Sequence, residues 1–158
     1  MRIVVIGLGQ SLRGDDAAGL EAVRQWQESF PETASRPEVR VETSEVPGLE
    51  LLDLFGDAEA VVLIDAVQSS STPGTIHRVV PEDLSTFASD SKSAHGWGVA
   101  ETLKIGRMVN PALGRIYVRL LGIEMEQIET GKGLSESVQK AIPLACKAIQ
   151  DEVQTLLS

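Results

Sequence analysis

Short runs of apolar residues recur along the chain and predict the strands of a sheet. The runs at residues 3–6 and 60–64 are continuous, which is typical of central strands that are covered on both faces. Further strands are predicted at residues 39–42, 75–80 and 116–123. We expect the strand at residues 75–80 to lie at an edge of the sheet.

Between the predicted strands, apolar residues recur every three or four positions, which is the pattern of one helix face. This pattern predicts helices at residues 17–30 and 98–109, a short helix after residue 48, and a C-terminal helix that ends at residue 156 or 157. Ser135 is a suitable N-cap for the C-terminal helix, and Pro143 predicts a kink or a separate short turn within it. The residues expected to face the core are Val99, Leu103 and Met108 in the helix at 98–109, and Val138, Ile142, Ala145, Ile149 and Val153 in the C-terminal helix.

The order of these elements predicts an α/β protein with three layers. We expect a doubly wound, mostly parallel, twisted sheet of about five strands, with helices on both faces, because strands and helices alternate along the chain. Right-handed crossovers place the first and third predicted strands side by side, with the second strand outside the first. The carboxyl ends of the first and third strands then flank the crevice in which open α/β sheets bind ligands.

The composition fits one domain that spans residues 1–158, and it argues against several classes of function. The 14 basic and 23 acidic residues give a formal charge of −9, whereas nucleic-acid binding needs clustered Lys and Arg. The apolar runs fall short of the roughly 20 residues that span a bilayer, and the N-terminus lacks a signal-peptide pattern. We therefore expect a cytoplasmic protein, and we interpret the single cysteine, Cys146, as a buried structural thiol.

A glycine loop follows the first predicted strand, and two adjacent carboxylates follow that loop. Gly7-x-Gly9 resembles the opening of a dinucleotide-binding loop, but the third glycine of that fingerprint would fall at Leu12. Asp15 and Asp16 would also repel a pyrophosphate at the helix N-terminus. Nucleotide binding is therefore the weaker hypothesis. Of the two carboxylates, we interpret Asp15 as a residue that only interacts favourably with the helix dipole.

Two carboxylates are expected to face each other across the crevice. Asp16 follows the first strand and Asp65 follows the third, and such a pair can hold a divalent metal, share a proton, or act as acid and base. A nearby imidazole would favour metal binding over the other two roles. His95 lies in a glycine-flanked segment before a helix and is either that third group or a residue at the helix start, whereas we interpret His77 as a solvent-facing strand residue.

The segment Gly7-x-Gly9-x-x-Leu12-x-x-Asp15-Asp16-x-x-Gly19 resembles the N-terminal signature of the hydrogenase maturation proteases. These endopeptidases remove a C-terminal extension from the large-subunit precursor of nickel–iron (NiFe) hydrogenases. The resemblance covers nearly the whole chain and continues, in the family's order, through residues 47–52, 62–66, 73–75, 93–96, 122–124 and 133–135. Two positions depart from the usual pattern: Gln10 stands where Asn is common, and Asp16 stands where some members have Glu.

The resemblance implies that Asp16, Asp65 and His95 are both the catalytic and the metal-binding residues. The resemblance also implies that the metal is nickel carried by the hydrogenase large-subunit precursor, and that other divalent metals can occupy the same site. The partner is that precursor, with no nucleic acid and no membrane insertion, and we expect a monomer. The sequence leaves open whether the metal acts as a Lewis acid or a carboxylate acts as general base. The alternative function is a non-catalytic maturation chaperone that binds the metal or the precursor.

Overall fold

The computed structural model describes residues 1–45, 49–80, 83, 92–93 and 99–158. The strands are β1 Ile3–Leu8, β2 Val39–Ser44, β3 Ala60–Gln68, β4 Ile76–Val79, β5 Lys92–Ser93 and β6 Tyr117–Glu124. The helices are α1 Ala18–Ser29, α2 Pro31–Ala34, α3 Glu50–Asp53, α4 Val99–Val109 and α5 Glu136–Leu157. Two 3₁₀ turns, Gly14–Ala17 and Pro111–Arg115, precede α1 and β6.

The strands form one mixed sheet in the order β2-β1-β3-β6-β4, and β5 adds a short pairing to β3. β1, β2, β3 and β6 are parallel, whereas β4 and β5 run antiparallel to their neighbours. The α/β fold class is therefore confirmed, and so is the expected order, with β1 beside β3 and β2 outside β1. β4 lies at an edge of the sheet, as predicted, while the two-residue β5 was not predicted.

Helices cover both faces of the sheet, which explains why all six residues of β1 are buried. Because side chains alternate between the faces of a strand, β1 and β3 contribute to two cores. On one face, residues such as Val5 and Val62 pack with Trp26 of α1 and Ile149 of α5. On the other face, the core is formed by Val4, Ile6, Val61, Leu63, Leu51, Phe55 and Leu103, among others.

The C-terminal helix differs from its prediction in one respect. α5 is a single helix from Glu136 to Leu157 that contains Pro143, so the separate short turn is wrong. Pro143 and Gln139, whose carbonyl would otherwise accept from position 143, are both exposed, so the missing hydrogen bond lies on the solvent side of the helix. The N-cap is confirmed, since the Ser135 side chain accepts from the amide of Val138. The predicted apolar stripe of α5 is also buried: Val138, Ile142, Ala145, Ile149 and Val153.

The inward face of α4 was only partly predicted. Leu103 is buried, but Met108 is 77% exposed, so its inward placement is wrong. Met108 lies five positions after Leu103, and five steps of about 100° turn it about 140° away around the helix axis. Gly106 lies on the inner side instead, against Leu52. The side chain of Val99 is outside the described part of the structure.

Candidate functional site

Close backbone packing places the start of α1 over the carboxyl ends of β1 and β3. A Cβ on Gly19 would lie 2.3 Å from the carbonyl oxygen of Ile64 and 2.5 Å from that of Leu8. A Cβ on Gly9, whose φ is 149°, would lie 2.0 Å from the backbone oxygen of Asp16. Glycine at both positions therefore lets the loop and the following turn press Asp16 against the end of the sheet.

Asp65 lies inside β3 rather than at its end. The pairing of β1 with β3 stops at Gly7 and Ile64, while the pairing of β3 with β6 continues past Asp65. β3 extends to Gln68, so the predicted strand end after residue 64 is wrong. Asp65 is nevertheless the first residue of β3 beyond its pairing with β1, which is the position that the crevice prediction requires.

Both candidate carboxylates are buried at this end of the sheet. Asp16 is 0% exposed and Asp65 is 1% exposed, and Asp16 Oδ2 lies 3.9 Å from Nη1 of Arg13. The third candidate, His95, lies outside the described residues. Among the residues that are described, no group of three or more His, Cys, Asp or Glu side chains is placed to hold a metal ion. The joint role of Asp16, Asp65 and His95 therefore stays a prediction.

Asp15 differs sharply from its neighbour Asp16. Its buried carboxylate accepts hydrogen bonds from the backbone amides of Glu126 (2.8 Å), Gln127 (3.1 Å) and Ser135 (2.7 Å). The hydroxyl of Ser135 donates a fourth bond at 2.8 Å. Asp15 therefore ties the glycine loop to the segment between β6 and α5, which is more than the helix-dipole role expected from the sequence.

His77 was interpreted as solvent-facing, and that interpretation is wrong. Its side chain is 19% exposed, and Nε2 lies 3.0 Å from Oε1 of Glu124 and 3.3 Å from Oγ of Ser69. The amide and the hydroxyl of Ser69 both donate to Glu124, the amide at 2.9 Å. We refer to these three side chains as the Ser69–His77–Glu124 cluster. One feature of the sequence could have indicated this cluster, namely the glutamate directly after the apolar run of β6.

The single cysteine lies in the core, away from the carboxylates. Cys146 is 4% exposed, and its Sγ donates to the carbonyl oxygen of Ala22 at 3.4 Å. Burial raises the pKa of the Cys146 thiol to about 11, which suppresses the reactive thiolate near neutral pH. The prediction of a buried structural thiol is confirmed.

Comparisons with known proteins point to one family. The family model of the HycI hydrogenase maturation proteases matches residues 35–152. The hydrogenase 2 maturation protease of Escherichia coli is 26% identical over 152 residues, which are 94% of this chain and 88% of that protein. Within the described residues, each helix is too short or too polar to span a bilayer.

Solved structures share the fold over nearly the whole chain. The hydrogenase maturation protease HybD of Thermococcus kodakarensis is 26% identical with a TM-score of 0.77, covering 97% of this chain and 99% of that one. The maturating endopeptidase HybD of Escherichia coli gives a TM-score of 0.80 at 24% identity, covering 98% of this chain and 93% of that one. The second likeness concerns the fold alone.

Proposed function

The chain belongs to the hydrogenase maturation protease family and is a peptidase, and from this we propose that it removes the C-terminal extension of a nickel–iron hydrogenase large-subunit precursor. The family match over residues 35–152 carries this proposal. Asp65 is buried just beyond the pairing of β3 with β1, and Asp16 is buried in the turn that follows the loop after β1. Both placements support the proposal, because ligands of open α/β sheets bind beyond the carboxyl ends of such strands.

In the proposed reaction, nickel in the precursor is the element that the protease recognises. Asp16 and Asp65 supply carboxylate oxygens and His95 supplies an imidazole nitrogen, a donor that suits nickel. Cleavage then depends on prior metal loading, and an empty precursor is left uncut. Burial favours this selectivity, since two buried carboxylates bring a cost of desolvation that a bound cation relieves.

Water is the proposed nucleophile for the peptide bond. Two ways of promoting the attack of water stay open. Either the nickel would polarise the scissile carbonyl, or a carboxylate of the site would accept a proton from the water. Cys146 is excluded as the nucleophile because it is buried against Ala22 and its pKa is raised to about 11. The Ser69–His77–Glu124 cluster is excluded as a catalytic triad because the same ring nitrogen of His77, Nε2, faces both Ser69 and Glu124.

The experiment that tests the proposal is intact-mass analysis of a hydrogenase large-subunit precursor mixed with the protein. Nickel-loaded and nickel-free precursors are incubated in parallel with wild type, with Asp16→Ala and with Asp57→Ala. Asp57 is a matched control because it is exposed and precedes β3, at the opposite end of that strand from Asp65. We expect a short C-terminal peptide to be lost only from loaded precursor, and only with wild type and Asp57→Ala.

Other outcomes of this experiment have distinct meanings. Equal cleavage of loaded and nickel-free precursor would retain the protease and reject nickel recognition. Full activity of Asp16→Ala would reject the proposed role of that carboxylate. Stable binding of loaded precursor with no change of its mass would favour the alternative function, a maturation chaperone.

We also propose that the extended tail of the precursor pairs with β4. Among the strands that the structure describes, β4 pairs only with β6 and so lies at the edge of the sheet. An edge strand can add an extended peptide through backbone hydrogen bonds. Hydrogen exchange of the complex is expected to slow at residues 75–80. Unchanged exchange at every strand on an edge of the sheet would reject pairing of this kind.

A further inference from the structure

The Ser69–His77–Glu124 cluster contains a carboxylate that the proposed chemistry does not use. Glu124 is 1% exposed, and its two oxygens together meet the amide of Ser69, the hydroxyl of Ser69 and the imidazole of His77. These three residues come from three places: the segment after β3, the strand β4 and the last position of β6. A buried carboxylate with this many contacts fixes the relative position of all three elements.

The geometry of the cluster is not that of a nucleophilic triad. In a triad the carboxylate binds one ring nitrogen of the histidine and the hydroxyl binds the other. Here Nε2 of His77 faces both Ser69 Oγ, at 3.3 Å, and Glu124 Oε1, at 3.0 Å. The hydroxyl also donates to Glu124, so it is already engaged. The contacts therefore serve to hold Ser69 rather than to activate it.

The segment that the cluster holds is the part of β3 beyond Asp65. β1 no longer pairs there, and its place beside β3 is taken by β5, with Val67 opposite Ser93 and Gln68 opposite Lys92. On the other side, Val67 is in register with Glu124 and its carbonyl accepts from the amide of Met125 at 2.9 Å. Since a two-residue pairing stabilises little by itself, this end of β3 depends on its β6 side.

Backbone strain next to the cluster supports the same interpretation. Ser70 has a φ of 68°, a left-handed conformation that a residue with a side chain rarely adopts. Such a conformation persists only where the surroundings fix it. The preceding residue, Ser69, is fixed through both its amide and its hydroxyl by Glu124.

We propose that Glu124 is a positioning residue for the metal-recognition site, acting through Ser69 and His77 on the end of β3. That strand carries Asp65 three residues before its end, and it pairs with Ser93, which precedes His95 by two residues in the sequence. The segment held by Glu124 thus connects two of the three proposed nickel ligands. This inference rests on the proposed function, because it assumes that Asp65 and His95 act together.

The test uses nickel ion alone as the probe, titrated calorimetrically into the folded protein. The variants are Glu124→Ala, Glu124→Gln, Ser69→Ala and, as the matched control, Glu126→Ala, which is exposed and two residues away. Asp65→Ala defines the signal of the site itself. Loss of groups that orient metal ligands typically weakens affinity about 10–100-fold, and we expect this range for Glu124→Ala. Glu124→Gln should recover most of the affinity, because its amide oxygen can still accept from the amide of Ser69.

Hydrogen exchange of the same variants separates positioning from general loss of stability. In Glu124→Ala, exchange should accelerate at the amides of Ser69 and Met125, while the amide of Val5 in the centre of the sheet stays protected. If Glu124→Ala does not fold, Ser69→Ala decides, since it removes only the hydroxyl contacts. Nickel affinity equal to wild type in the folded variants would overturn the inference and leave the proposed function intact. A wild-type protein that does not bind nickel ion would also overturn this inference, while the cleavage of loaded and nickel-free precursor decides the proposed function separately.

Discussion

The anchoring of Asp15 gives a prediction that the structure makes quantitative. Replacing Asp15 with alanine removes the acceptor of four hydrogen bonds, three from backbone amides and one from the hydroxyl of Ser135. The donors at Glu126, Gln127 and Ser135 are partly exposed, so water can satisfy some of them in the variant. If water satisfies two, the two that stay unsatisfied cost about 1.5–2 kcal/mol each, or about 3–4 kcal/mol together.

This loss is a large fraction of the stability of a typical domain, about 5–15 kcal/mol, so the variant should fold but unfold early in denaturant. The assay is urea unfolding at pH 7 followed by far-UV circular dichroism, with Asp57→Ala as the exposed control. Asp15→Asn should lie between wild type and Asp15→Ala, because one amide oxygen can still accept while the amide nitrogen faces the remaining donors. A loss below about 1 kcal/mol for Asp15→Ala would refute the reasoning, since the four contacts would then add almost nothing.

Two further predictions concern packing and the thiol. Gly19→Ala would place a Cβ within 2.5 Å of two backbone oxygens and should destabilise the protein by about 3 kcal/mol in urea, whereas Gly114→Ala, where nothing lies within 4 Å of the new Cβ, should be nearly neutral. Equal midpoints for the two variants would contradict the close packing of α1 on the sheet. Cys146 should resist alkylation at pH 8 until the protein unfolds. Its pKa is raised from 9.0 to about 11 in the folded state, so above pH 9 the unfolded chain binds fewer protons and the free energy of unfolding falls, by about 2 kcal/mol at pH 11. The stability difference between wild type and Cys146→Ala should shrink over that interval, and a constant difference would show that the thiol is not desolvated.

The arrangement of the crevice could be predicted because it depends on few rules. Continuous apolar runs identified β1 and β3 as central strands, and the handedness of crossovers placed them side by side. Asp16 and Asp65 were then expected on the side of the sheet where these strands have their carboxyl ends, and both are buried. The helix positions were also predictable, since α1 and α4 begin and end within one residue of the ranges that the apolar period gives.

The end of β3 could not be predicted in the same way. Asp65 interrupts the apolar run, and in a sequence a carboxylate after such a run marks the end of a strand. The strand continues because β6 is long enough to pair with residues 65–67, and this register depends on a segment more than 50 residues away. The same distance hides the Ser69–His77–Glu124 cluster, whose members are separated by up to 55 residues. The alternation of residues along β4 therefore predicts that His77 is exposed, whereas in the structure its side chain contacts Glu124.

Asp15 and Asp16 show most clearly what local sequence leaves undetermined. Two identical side chains, adjacent and both buried, differ because Asp15 meets donors of the segment between β6 and α5, 111 to 120 residues further along the chain. With its carboxylate oxygens engaged by those four donors, Asp15 is a poor choice for a metal ligand or a general base. The four contacts of Asp15 thus hold the loop, and Asp16 is the carboxylate of this loop that we propose for the chemistry. Loss of Asp15 should therefore lower stability first and activity only as a consequence, whereas loss of Asp16 should abolish cleavage in a protein that remains folded.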